Sequence, residues 1–137
     1  MPTAHHVGIT VEDLDRAVEF YSDTFGFEVV SRFSVAGEAF ETGVGVSGAE
    51  AQFVHLDADG VRLELVAYDP GGDDLAAESL NDTGAKHLGF EVEDIEAFYA
   101  DLDGGVETIS EPQTTESGTT ICFVVDPEGN LVEVLEP

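Results

Sequence analysis

The stretch Lys86-His87-Leu88-Gly89-Phe90-Glu91-Val92-Glu93-Asp94-Ile95 decides the fold, because His6-Val7-Gly8-Ile9-Thr10-Val11-Glu12-Asp13-Leu14 repeats its pattern near the start of the chain. Each copy opens on a histidine and then alternates apolar with small or polar residues, the period-two signature of a half-buried strand. Each copy next reaches an aspartate, Asp13 or Asp94, of the type that caps a helix N-terminus. The helices predicted to follow cover residues 14–24, with Leu14, Ala17, Val18 and Tyr21 at helical spacing, and residues 95–102.

The far ends of the two copies also match. Gly60-Val61-Arg62-Leu63-Glu64-Leu65-Val66 and Gly129-Asn130-Leu131-Val132-Glu133-Val134-Leu135 each place a glutamate four residues after a turn glycine, between aliphatic neighbours. Further strand patterns lie at 27–35, 52–56 and 61–67 in the first copy, and at 106–110, 119–125 and 130–135 in the second. Residues 36–49, rich in glycine, read as a loop or a ragged strand pair, and the connector through Pro70-Gly71-Gly72 carries one helical turn at 75–80. The order βαβββ thus occurs twice. The expectation is an α+β fold, one domain over 1–137, built from module 1–68 and module 85–137 with connector 69–84 between them.

Composition narrows the function. Thirty acidic residues against four Lys and Arg give a formal net charge of −26. Phosphate recognition needs clustered Lys and Arg, so nucleic acid is excluded as a partner. Self-repulsion of this size destabilises a compact chain in dilute buffer and is screened at high ionic strength, a composition similar to that of cytoplasmic proteins from salt-accumulating halophiles. Apolar residues make up 42%, and no apolar run has the length of a membrane span. No secretory signal precedes the first strand pattern, so the expected location is cytoplasmic. The single cysteine, Cys122, lies in an apolar run and reads as a small buried hydrophobe.

Strand parity decides what the repeated residues can see. Val7, Ile9 and Val11, Leu88, Phe90 and Val92, Leu63 and Leu65, and Val132 and Val134 all fall on the helix-facing side. His6, Glu64, His87 and Glu133 therefore share the other face, with Gly8 and Gly89 leaving room for something bound. Taken singly, each has an ordinary explanation: a half-buried strand histidine, or a solvated glutamate in a very acidic protein. Four ligand-type residues at matching positions and parity of a repeated unit are much harder to explain by chance. Two imidazoles and two carboxylates form a mixed N/O donor set for a divalent metal, with Zn, Ni, Co, Mn and Fe all compatible. His5 falls on the helix side by parity, or is exposed at the strand start, and is not counted as a ligand; on the donors' face Arg62 suits a substrate carboxylate or pairing with an acidic neighbour, and Glu91 a base or substrate contact or an exposed rim position.

The segments His6-Val7-Gly8-Ile9, residues 86–94 quoted above and Phe123-Val124-Val125-Asp126-Pro127-Glu128-Gly129-Asn130-Leu131-Val132-Glu133 resemble the vicinal oxygen chelate superfamily, the group of glyoxalase I, bleomycin-resistance proteins and extradiol dioxygenases. The resemblance implies paired βαβββ modules whose cupped eight-stranded mixed sheet carries helices on its outer face. It puts His6, Glu64, His87 and Glu133 at the metal-ligand positions. Dioxygenases of the group use two His and one Glu, matching His6, His87 and Glu133, while glyoxalase I fills the remaining position too. Glu64 thereby points to the isomerase end.

What the resemblance implies for activity is a metal-dependent, glyoxalase-I-like lyase or isomerase. It would act on a small α-oxygenated substrate, such as a thiol adduct, through an enediolate, with Glu64 and Glu133 as the catalytic carboxylates. Three alternatives stand beside it: an Fe(II) extradiol dioxygenase, a metal-free drug-binding resistance protein, and an enzyme like methylmalonyl-CoA epimerase. The last would need a basic cluster for the CoA phosphates, and only Arg16, Arg32, Arg62 and Lys86 are present. A homodimer is the expected assembly of such a protein.

Overall fold

In each half of the chain the strand that follows the histidine pairs in parallel with the strand that carries the glutamate. The computed structural model describes residues 1–137. The chain separates into two units, Met1–Asp74 and Leu75–Pro137.

The first unit runs β1 (Val7–Thr10), α1 (Leu14–Phe25), β2 (Glu28–Ala36), α2 (Glu38–Val44), β3 (Glu50–Asp57) and β4 (Arg62–Asp69). Its four strands form one mixed sheet in the order β1-β4-β3-β2, with β1 parallel to β4 and the other pairs antiparallel. Helix α1 starts where Asp13 accepts a hydrogen bond from the Arg16 N–H at 3.1 Å and stops at Gly26, whose φ of 74° is left-handed. Its Ala17, Val18 and Tyr21 are buried and the helix packs on β3 and β4. Leu63 and Leu65 of β4 and Val54 and Leu56 of β3 are each at most 1% exposed. Burial of each such side chain is worth roughly 1.5–3 kcal/mol, and this apolar layer is what opposes the charge repulsion.

The second unit runs β5 (Leu88–Glu91), α3 (Ile95–Ala100), β6 (Glu107–Thr108), β7 (Gln113–Thr114), β8 (Thr120–Val125) and β9 (Leu131–Glu136). Strand order is β5-β9-β8-β6, β5 lies parallel to β9, and β7 also pairs with β8. Asp94 caps α3 by accepting from the Ala97 N–H at 2.9 Å, and Glu136 accepts from the Ile95 N–H at 3.1 Å. Cys122, Val124, Val132 and Val134 form the buried layer of β8 and β9, the strands on which α3 packs.

The α+β class is as the sequence predicts, in mixed sheets of four and five strands, and the βαβββ order runs through each half with α2 inserted in the first and β7 in the second. All eight expected strands are present, and β7 is a ninth. Two local readings differ. Residues 36–49 contain the helix α2 rather than a loop or strand pair. Gly37 and Gly45 cap this helix, and only Gly43 lowers propensity inside it, which the packing of Phe40 on the cluster of Ala51, Phe53 and Val66 offsets. Residues 78–79 bend and residue 80 begins a turn, and no helical turn forms over 75–80. No helix is long and apolar enough to cross a membrane.

Candidate functional site

The glutamates are fixed by the strand ladders. In the first unit Gly8 of β1 and His55 of β3 both stand opposite Glu64 of β4, so Gly8, Glu64 and His55 make one row across three strands. His6 precedes Gly8 by two residues and keeps its parity. Its Nε2 lies 3.5 Å from Glu64 Oε2, and His55 Nε2 lies 2.7 Å from that same oxygen. The His6 and His55 rings stack at 5.9 Å, and His6 Nδ1 is 2.8 Å from His5 Nδ1. One neighbouring row holds Phe33 and Phe53, whose rings stack at 4.9 Å.

The second unit repeats the row with one substitution. Gly89 and Phe123 stand opposite Glu133. His87 Nε2 lies 3.4 Å from Glu133 Oε1, and the His87 ring meets Phe123 edge-on at 5.3 Å. His87 and His6 are about equally open, with 39% and 37% of their side chains exposed, while Glu64 and Glu133 are only 13% and 22% exposed. Arg62 and Glu91 keep the parity of Glu64 and Gly89, and both are exposed.

Neither Gly8 nor Gly89 has a positive φ, so backbone conformation does not demand glycine at these positions. Space does bear on them. A Cβ on Gly8 would sit 3.6 Å from Glu64 Oε1 and 3.8 Å from His6 Cδ2, and one on Gly89 would sit 3.6 Å from Glu133 Oε1. Glycine at each position keeps a side chain away from one oxygen of the facing carboxylate.

Residues 3–134 match the family described as the Glyoxalase/Bleomycin resistance protein/Dioxygenase superfamily. The chain belongs to this superfamily. Among curated members it is 32% identical over 120 residues, 83% of its length, to a 2-epi-5-epi-valiolone epimerase of Actinomyces. It is 31% identical over 137 residues to a probable lactoylglutathione lyase of Vibrio cholerae, covering 96% of this chain and 88% of that one. The chain spans 66% of the epimerase and 43% of a lactoylglutathione lyase of Arabidopsis thaliana, so it is shorter than several relatives it matches. A glyoxalase family protein from Bacillus cereus has the same fold, with a TM-score of 0.87 and 27% identity over 99% of this chain and 94% of that one.

Glyoxalase-superfamily members generally bind a divalent metal. No three His, Cys, Asp or Glu side chains are gathered in this structure into a metal-binding group. The donors occur instead as one His–Glu pair in each unit. Two ligands at about 2.1 Å from one ion lie roughly 3.0–3.5 Å apart, depending on geometry. The 3.5 Å and 3.4 Å separations of the two pairs fit that spacing, and they are long for hydrogen bonds. The 2.7 Å separation of His55 and Glu64 is a hydrogen bond and too short for neighbouring ligands. The chemistry of the pairs therefore suits a divalent ion.

Sequence parity alone did not single out His55, although the hairpin holds the signal. Counting outward from the turn through Asp57 and Arg62, which pair, brings His55 opposite Glu64.

Proposed function

We propose that this superfamily member is a metal-dependent lyase or isomerase of the glyoxalase I kind. His6, Glu64, His87 and Glu133 are the metal ligands in this proposal, and Glu64 and Glu133 are also the catalytic carboxylates. The observation that carries it recurs in both units: a histidine Nε2 lies 3.5 Å or 3.4 Å from a glutamate oxygen, and a glycine stands opposite that glutamate in the strand ladder. The same chain, or a second copy in a homodimer, supplies the second pair. Nickel, cobalt, zinc, manganese and iron are the candidate ions.

A bound ion would act as a Lewis acid toward the oxygens of a small α-oxygenated substrate and stabilise the negative charge that develops on them. The work of this chain's own residues is separate. The imidazoles of His6 and His87 present their Nε2 atoms, and a carboxylate, Glu64 or Glu133, takes the proton from the carbon beside the carbonyl and returns it to the neighbouring carbon. Arg62 and Glu91 stand on the same strand faces as candidates for contact with the rest of the substrate.

The epimerase relative supports a second reading on the same chemistry, in which the proton returns to the carbon it left. A CoA ester is disfavoured as substrate by the shortage of cations. The net charge of −26 supports work in a salt-rich cytoplasm.

Metal analysis of protein purified in molar KCl, followed by a panel of thiol hemiacetals of methylglyoxal, cyclitol ketones and catechols, tests the proposal. An equivalent of Ni, Co or Zn with turnover of a hemiacetal is the expected result. Retention of deuterium from solvent without net isomerisation would favour the epimerase, and Fe(II) with catechol cleavage the dioxygenase. If folded His87→Ala kept its full metal content, the proposed ligand set would be wrong.

A further inference from the structure

The two site rows differ at one position: β3 carries His55 opposite Glu64, where β8 carries Phe123 opposite Glu133. His55 is 6% exposed and sits in a run, Phe53-Val54-His55-Leu56, that is otherwise apolar and buried. An imidazole in such a place costs free energy unless its ring nitrogens find partners. Its Nε2 has one in Glu64 Oε2 at 2.7 Å. An ionised carboxylate can only accept, so His55 is the donor and its Nε2 carries the hydrogen. Phe33 meets the His55 ring edge-on at 5.1 Å and His6 stacks on it, which leaves the imidazole little room to turn. Phe123 has no donor to offer Glu133.

From this asymmetry we infer that His55 is a positioning residue: it holds the Glu64 carboxylate in one orientation for the metal, a restraint that Phe123 cannot place on Glu133. The inference rests on the metal reading above, but His55 itself is not a ligand. Its hydrogen bond fixes one oxygen of Glu64, so that less rotamer freedom is lost when the ion binds. A ligand residue held in this way favours affinity without touching the substrate.

Two variants separate this role from general support of the fold. His55→Phe installs the residue found in the second unit, and His55→Gln keeps an N–H donor at a similar reach. Cobalt(II) affinity is measured by calorimetric titration of the metal-free proteins in molar KCl, with thermal unfolding of each variant alongside. His55→Phe is expected to bind cobalt(II) about 10–100-fold more weakly than wild type, as for other partners of metal ligands. His55→Gln is expected to recover most of that loss. Wild-type affinity in folded His55→Phe overturns the inference, and so does equal weakening in both variants.

Crystal structures of metal-free wild type and His55→Phe supply a readout that needs no metal. A single Glu64 orientation bonded to His55 in wild type, replaced by several in the variant, is expected. The same single orientation in both overturns the positioning role. Should wild type bind no cobalt(II), the metal reading fails, and these two structures still decide whether His55 orients Glu64.

Discussion

Gly89 stands opposite Glu133 in the ladder of β5 with β9, and a methyl group on Gly89 would rest 3.6 Å from Glu133 Oε1. That is ordinary contact, not a clash, and the backbone there accepts an L-residue. Gly89→Ala should therefore fold at least as well as wild type, by about 0.4–1 kcal/mol from the lost flexibility of the unfolded chain. On the proposed ligand set it should also bind divalent metal several-fold more weakly, because the methyl would cover Glu133 Oε1, the oxygen the ion would approach. Paired thermal melts and calorimetric titrations check this, and unchanged metal affinity would mean that an open carboxylate oxygen is not why glycine occupies position 89.

Asp126 is 3% exposed and ties the turn ahead of Glu133. Its Oδ1 accepts from the Glu128 and Asn130 N–H groups at 2.9 Å and 2.8 Å, and its Oδ2 from Asn130 Nδ2 at 3.0 Å. Asp126→Ala leaves three donors without this partner and is expected to cost about 3 kcal/mol. Asp126→Asn, which keeps two of the three acceptor contacts, should cost less. Urea unfolding in molar KCl measures both; an alanine variant as stable as the asparagine one would count against the network.

Cys122 is buried, and its Sγ–H donates to the Ser110 carbonyl at 3.4 Å. Burial raises its pKa, and the charge of Glu96 adds to the rise. The folded state thus holds this proton more tightly than the unfolded state does. The sign follows: the thiol's contribution is level below the unfolded pKa and is lost as pH rises from there through the folded value. Stability should decline on the alkaline side, and less so in Cys122→Ala. Labelling by a thiol reagent should be slow in native protein and fast in urea; rapid native labelling would contradict the burial.

The melting temperature should climb steeply between dilute buffer and molar KCl, since 30 acidic residues face four basic ones. Sucrose at matched osmolality separates screening from solvent exclusion. A flat salt profile with wild-type protein would sink the argument from repulsion.

Much of the fold could be read before any coordinates, for reasons visible in particular residues. Leu63, Leu65, Val132 and Val134 alternate strictly with Glu64 and Glu133, and strict alternation assigns faces without ambiguity. Asp13 and Asp94 announce helix starts that the structure places within a residue of the expectation. Helix α2 was not legible because its formation depends on Phe40 reaching Phe53 and Tyr68, contacts between residues distant in sequence. His55 escaped for a different reason. Comparing the two repeats selects residues that match, and Phe123 occupies the corresponding place, so a feature present in only one repeat is filtered out. His5 lies exposed just ahead of β1, with its Nδ1 2.8 Å from that of His6.

The parallel pairing of β1 with β4, and of β5 with β9, has a consequence for how the chain reaches its working state. His6 and Glu64 lie at opposite ends of the first unit's sequence, as do His87 and Glu133 in the second. Neither pair exists until the last strand of its unit has docked beside the first. A divalent ion that needs both members of a pair would bind only the finished unit, and mass action would then draw incompletely docked chains toward closure. For a protein so heavily charged, the metal would serve as a late-acting folding ligand.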